Sequence, residues 1–170
     1  MAMDTIIKNG TVVTSSSQSK ADIGIVDGKI SIIAERIDVD AQQVIDAAGC
    51  YVIPGGVDVH THLDTPVFNS VTADNFETGT IAAACGGTTT IVDFCQQDWG
   101  ESLAQALQAW HEKAAGKASI DYGFHIIIRD YNEEVERELE LLPEQGVTSI
   151  KLFLAYKGML GVDVDRKSVV

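Results

Sequence analysis

Basic residues are scarce in this chain. Twelve Lys and Arg stand against 25 Asp and Glu, for a formal net charge of −13. No excess of positive charge exists to displace the counterions of a nucleic acid, so binding one through a bulk basic face is excluded. A membrane-surface role is disfavoured for the same reason. Long apolar runs are also missing, and each breaks well short of a membrane span. The first ten residues carry no basic stretch leading into an apolar one, so no secretory signal is visible. Cysteine is limited to Cys50, Cys85 and Cys95, an odd number without CxxC spacing. They read as buried free thiols of a protein kept in a reducing cytoplasm.

What is present is a globular composition, 45% hydrophobic over 170 residues, enough for an ordinary core. Residues 1–50 read as a small β-domain of short strands and tight turns. Asn9-Gly10 lies between Ile6-Ile7-Lys8 and Thr11-Val12-Val13, and Asp27-Gly28 lies between Ile23-Gly24-Ile25-Val26 and Lys29-Ile30-Ser31-Ile32-Ile33. Both pairs tolerate the positive φ of a type I′ turn and predict hairpins, with a polar loop over 15–20 between them.

After Gly49 the rhythm changes, and residues 51–170 form the second predicted unit. Strand-like runs at 51–60, 88–94, 119–128 and 147–155 alternate with helical ones at 72–84, 103–115 and 132–142. The first helix is expected to start through Thr72 or Asp74 and to stop at Gly86-Gly87. Such alternation implies parallel βα units, about four of them, in a barrel or a doubly wound sheet. No GxGxxG or GxxxxGK[ST] follows any strand, which removes the usual nucleotide-binding reasons for an open sheet.

The segment richest in chemistry is Gly55-Gly56-Val57-Asp58-Val59-His60-Thr61-His62-Leu63-Asp64. Side chains of a strand alternate faces, so Asp58, His60, His62 and Asp64 share one and Val57, Val59 and Leu63 the other. Two imidazoles two residues apart at the C-terminal end of a barrel strand can converge on one ion. The bland alternative is a pair of ordinary polar residues where a strand enters a loop. Imidazole suits several divalent metals, so two histidines do not fix which. Asp58 could support a ligating histidine or cap the turn after Gly56; Asp64 could shape the pocket. His111, between Trp110 and Glu112, reads as a surface residue, and His125 as a satisfied core histidine. Lys151 sits inside the apolar run Ile150-Lys151-Leu152-Phe153-Leu154. Its head could reach solvent past a buried stem. It could equally react as a neutral amine of lowered pKa, adding carbon dioxide to become a carbamate.

Together with Tyr51-Val52-Ile53-Pro54 ahead of the histidines, with Ala84-Cys85-Gly86-Gly87-Thr88-Thr89-Thr90-Ile91-Val92-Asp93-Phe94, and with Ser149 to Tyr156, these segments resemble the hydantoinase and dihydropyrimidinase family of the amidohydrolase superfamily, bacterial D-hydantoinases most closely. The resemblance runs from Asn9-Gly10 to about Gly161. It implies an α/β fold, the N-terminal part of a (β/α)8 metal-dependent hydrolase barrel, incomplete here, behind a small β-sandwich-type domain. It implies His60, His62 and Lys151 as metal ligands, with carboxylated Lys151 bridging two Zn2+ or other divalent ions. It implies Tyr156 as the catalytic and substrate-binding residue that hydrogen-bonds the substrate carbonyl and the developing oxyanion, a contribution of about 3 kcal/mol in comparable sites. The implied reaction opens a hydantoin or 5,6-dihydropyrimidine ring to an N-carbamoyl amino acid through a metal-bridging hydroxide, a step of pyrimidine catabolism. The implied partners are a small cyclic ureide or amide, no nucleic acid, no membrane, and a second copy of the full-length parent in a homo-oligomer.

The family completes its site with two more histidines and an aspartate from later strands. With the chain stopping at Val170, and no further βα unit after Gly161, the expectation is a truncated product with little activity by itself. Allantoinase and dihydroorotase are close alternatives. A non-catalytic scaffold on the same fold is another, which retention of His60, His62, Lys151 and Tyr156 argues against for the full-length parent and leaves open for this chain.

Overall fold

The computed structural model describes residues 3–162; the tail from 163 onward, on which part of the expected chain end falls, lies outside the described residues. Two compact units divide after Pro54, four residues beyond the boundary expected from the sequence.

The first unit is a sheet of β1 (Met3–Val13), β2 (Gln18–Val26), β3 (Lys29–Ala34), β4 (Ala41–Asp46) and β5 (Tyr51–Val52), ordered β3-β2-β1-β4, with β5 also paired to β1. Asp27-Gly28 forms the predicted hairpin turn between β2 and β3, with φ of 50° and 70°. Asn9-Gly10 does not. β1 runs straight through it, and the positive φ of Asn9 (63°) makes a bulge where the β1–β2 register shifts between Ile7 and Gly10. The buried Asp22 carboxylate on β2 accepts the Asn9 N–H at 2.9 Å and the Ile37 N–H at 3.0 Å. The turn from β1 to β2 is made by residues 14–17 instead, so the predicted 15–20 loop is shorter and its end is strand. A side chain at position 10 would collide with Val52, which explains why glycine follows the bulge.

The second unit begins with β6 (Gly56–Thr61), followed by a small ribbon of β7 (Pro66–Val67) and β8 (Ser70–Val71). Next come α1 (Phe76–Cys85), β9 (Thr88–Gln96), α2 (Leu103–Ala114), β10 (Asp121–Ile127), α3 (Glu133–Leu139), a 3-10 turn at Leu142–Gln145, β11 (Ile150–Lys151) and β12 (Phe153–Lys157). The predicted βα alternation holds. Strands β6, β9, β10 and β11 form one parallel sheet in the order β11-β10-β9-β6. Each helix start has a local cause. Asn75, not Thr72 or Asp74, caps α1, accepting Thr78 N–H at 2.8 Å while its own N–H reaches the Thr78 hydroxyl. Ser102 and Gln105 make the reciprocal box of α2, and Asn132 caps α3. α3 is shorter than expected because Pro143 diverts the chain into the 3-10 turn.

Helices and sheet enclose a core around Phe76, Ile91, Leu103, Trp110, Ile126 and Val135. β9 is its centre, with Ile91 and Cys95 almost wholly buried. In α1, Gly79 stands where a Cβ would meet Leu63, so the helix can lie close behind the strand that carries the histidines.

Candidate metal centre

β6 ends at Thr61, so His60 is its penultimate residue and His62 the first beyond it, at the carboxyl end of the parallel sheet. Their rings come together edge-on, centroids 5.4 Å apart. Both rest on the ring of Phe94, at 4.7 and 4.9 Å, the His62 ring nearly parallel to it. Lys151, paired beside Ile127 on the far side of β10, extends its Nζ to 4.2 Å from the same ring and 5.0 Å from that of Phe153. One phenyl group of the middle strand thus collects the two histidines and the lysine. Burial pushes the His62 pKa down, and the Lys151 and His60 charges push it further, which favours the neutral imidazole that can donate to a metal.

His125 also packs on Phe94, at 4.7 Å. Its Nε2 lies 2.9 Å from the Val59 carbonyl, which can only accept, and its Nδ1 meets the Ser149 hydroxyl. Both ring nitrogens are engaged, as a satisfied histidine requires. His111 is exposed and leans against Phe124 and Tyr122.

The carboxylates take different places. Asp58 accepts the His60 backbone N–H at 3.0 Å, a local turn-like contact. Asp64 leaves the strand line with φ of 50°; its carboxylate accepts the Phe76 N–H at the start of α1 and its carbonyl accepts from Lys113 Nζ at 3.0 Å. It therefore braces the loop behind the site. The carboxylate that holds the histidine segment is Asp93, whose place inside a β-branched run gives no sequence signal of that role. Fully buried, it accepts Thr61 Oγ1 at 2.7 Å, Leu63 N–H at 2.9 Å and Trp110 Nε1–H at 3.2 Å. Burial raises its pKa although these three donors and Lys113 oppose the rise.

Tyr156 makes no ring contact or side-chain hydrogen bond with these residues. It lies on β12 with φ of 62° and is 63% exposed, and its carbonyl accepts the N–H groups of Met159 and Leu160. A cleft of about 500 Å3 opens on the same side of the sheet, lined by residues of the β7–β8 ribbon, Gln96, Asp98, Arg129, Met159 and Leu160. Among the described residues no three His, Cys, Asp or Glu side chains converge as a metal-holding set. Two imidazoles with a lysine beside them do suit a divalent ion once that lysine becomes an anionic oxygen donor.

Residues 43–122 match the sequence profile described as "Amidohydrolase family". A D-hydantoinase of Ralstonia pickettii is 58% identical over 161 residues, 95% of this chain and 35% of its own length. Over nearly its whole length the chain is similar to D-hydantoinases and dihydropyrimidinases. A solved D-hydantoinase superposes with a TM-score of 0.91 at 58% identity, covering 95% of this chain and 35% of that one. The crystal structure of dihydropyrimidinase from Brevibacillus agri NCHU1002 gives a TM-score of 0.91 at 52% identity over 96% of this chain and 36% of that one. The parallel sheet and its helices are accordingly part of the barrel of that fold, and the chain spans about a third of the length of the curated relatives it matches. Hydantoinases and their amidohydrolase relatives are metal-dependent. Among the described residues no helix is long and apolar enough to cross a membrane.

Proposed function

We propose that the protein carrying this chain hydrolyses the ring C–N bond of a cyclic amide, a hydantoin or 5,6-dihydropyrimidine, to an N-carbamoyl amino acid. Water adds to the ring carbonyl carbon, the C–N bond breaks, and the departing nitrogen takes a proton. The observation that carries this reading is the gathering of His60, His62 and Lys151 on one phenyl ring at the carboxyl end of the sheet. Its support comes from relatives named D-hydantoinase and dihydropyrimidinase.

His60 and His62 would hold divalent zinc through neutral ring nitrogens, and Lys151, carboxylated, would add an anionic oxygen donor. A bound divalent ion supplies Lewis acidity and water acidified to near-neutral pKa. Phe94 keeps the two imidazoles at fixed spacing and shields one side of them from solvent. Asp93 fixes the turn that carries His62 through Thr61 and Leu63. Tyr156 would donate its hydroxyl hydrogen to the substrate oxygen as negative charge develops there. Three unpaired thiols suit a reducing cytoplasm, and a homo-oligomer is the assembly we assign.

The test is metal content and turnover of hydantoin and dihydrouracil by the protein at its full encoded length. His60→Ala, His62→Ala and Lys151→Ala should each reduce bound zinc and lower kcat by at least about a thousandfold, the scale of lost metal catalysis. Labelled bicarbonate should give a carbamate carbon signal that disappears in Lys151→Ala. Full turnover by the double histidine variant would sink the reading.

A further inference from the structure

The segment bearing Tyr156 is tied to the sheet by one side chain that the reaction above leaves unused. Arg129 lies two residues past the end of β10, and its side chain is 14% exposed. Its Nε and Nη2 donate to the carbonyl of Met159 at 3.2 and 3.0 Å, and its Nη1 pairs with Asp98 at 2.7 Å. The root of this side chain is fixed as well. The buried Gln97 amide oxygen accepts the N–H groups of Arg129 and Asp130, and its nitrogen donates to the carbonyls of Glu101 and Asp130. Met159 belongs to the turn whose N–H groups, with those of Leu160, converge on the Tyr156 carbonyl. Tyr156 itself holds a left-handed φ that a tyrosine adopts only under constraint from its surroundings.

We propose that Arg129 is a positioning residue: its guanidinium fork, braced by Asp98, holds the turn after β12 and so sets the place of the Tyr156 hydroxyl. Only a planar fork can give two N–H groups to one carbonyl and a third to a carboxylate, so lysine cannot replace it in full. This inference rests on the reading of Tyr156 as donor to the substrate.

Two measurements separate the latch from that reading. The first is amide hydrogen exchange on the 170-residue chain. In Arg129→Ala the Met159 and Leu160 amides should exchange about 10- to 100-fold faster, while those of β9 and β10 keep their protection. In Asp98→Asn the increase should be smaller. The second is kinetics on the full-length protein. Arg129→Ala should lower kcat about tenfold or more at nearly unchanged KM and metal content, with Arg129→Lys recovering part of the loss. Unchanged exchange at Met159 and Leu160 overturns the latch, as does exchange that rises equally across β9 and β10. If Arg129→Ala does not fold, Arg129→Lys carries the same two measurements, with exchange rising about threefold or more as the expected result and wild-type exchange as the overturning one. Tyr156→Phe is run in parallel. If it leaves kcat untouched, the role of Tyr156 falls, and the exchange data still decide whether Arg129 holds the turn.

Discussion

Replacing Asp93 by alanine removes the carboxylate shared by three donors: Thr61 at the end of β6, Leu63 just beyond it and Trp110 of α2. Leu63 N–H and Trp110 Nε1–H are fixed in direction and have no alternative partner among the described residues; the Thr61 hydroxyl can rotate. Each buried donor left unpaired costs about 1–3 kcal/mol, so the two fixed ones sum to about 2–6 kcal/mol. Burial of the carboxyl works the other way. Its raised pKa means the ionised form is disfavoured in place, and deleting it returns part of that penalty. The net expectation is a loss of about 2–4 kcal/mol for Asp93→Ala. Asp93→Asn keeps the volume and one acceptor oxygen but turns an NH2 toward a donor, for a loss of about 1–3 kcal/mol. Urea unfolding followed by tryptophan fluorescence measures both, with the slope unchanged if only stability has moved. The histidine ring signals should shift with the mutation, since Thr61 and Leu63 flank His62. A midpoint for Asp93→Ala within about 0.5 kcal/mol of wild type would refute the idea that this carboxylate holds the histidine segment.

Three further outcomes follow from the fold. Burial drives the Asp22 pKa up, yet the N–H groups of Asn9 and Ile37 and the charges of Lys8 and Arg36 bring it below the usual carboxylate value. A lowered folded pKa gives stability that is present above the unfolded value of about 3.9 and is lost as pH falls through the folded one. Asp22→Asn should therefore flatten the acid limb of the stability curve below about pH 4, seen by thermal unfolding across pH; an unaltered limb argues against the bond to the bulge. Asn75→Ala should cost about 1 kcal/mol in thermal or denaturant unfolding through loss of the α1 cap, and restoration by Asn75→Ser would identify the cap as the cause. Gly28→Ala, at φ of 70° with open space around it, should cost about 1 to 2 kcal/mol from backbone strain alone; a stabilised variant would contradict the type I′ turn.

Much of this architecture is legible in the residues. The βα alternation, the Asp27-Gly28 hairpin and the two-residue spacing of His60 and His62 each depend on local pattern, and each is found. Asn9-Gly10 misleads because positive φ serves a bulge as well as a turn. What decides between them is Asp22, thirteen residues away, whose carboxylate takes the Asn9 N–H. The pairing of β4 beside β1 in parallel, and the short β7–β8 ribbon, likewise depend on partners rather than on pattern. At the site the histidines are visible in sequence, but the ring that gathers them is not. Phe94 reads there as one more apolar residue of a buried strand, because its function comes from the register of β9 against β6 and β10. Tyr156 matches its motif, and the left-handed φ it holds is set by the turn after β12 and could not be read from the motif.

The placement of Phe94 makes β9 its own alignment key. Asp93 and Phe94 are consecutive, so they face opposite sides of the strand, one toward Trp110 and the other toward the histidine rings. A slip of one residue would exchange them, driving a carboxylate among the imidazoles and a phenyl group against the helix layer. Both halves of that error are costly at once. Correct threading of the sheet and correct spacing of the histidines are thus a single event, and a chain that misaligns β9 loses its fold and its chemistry together.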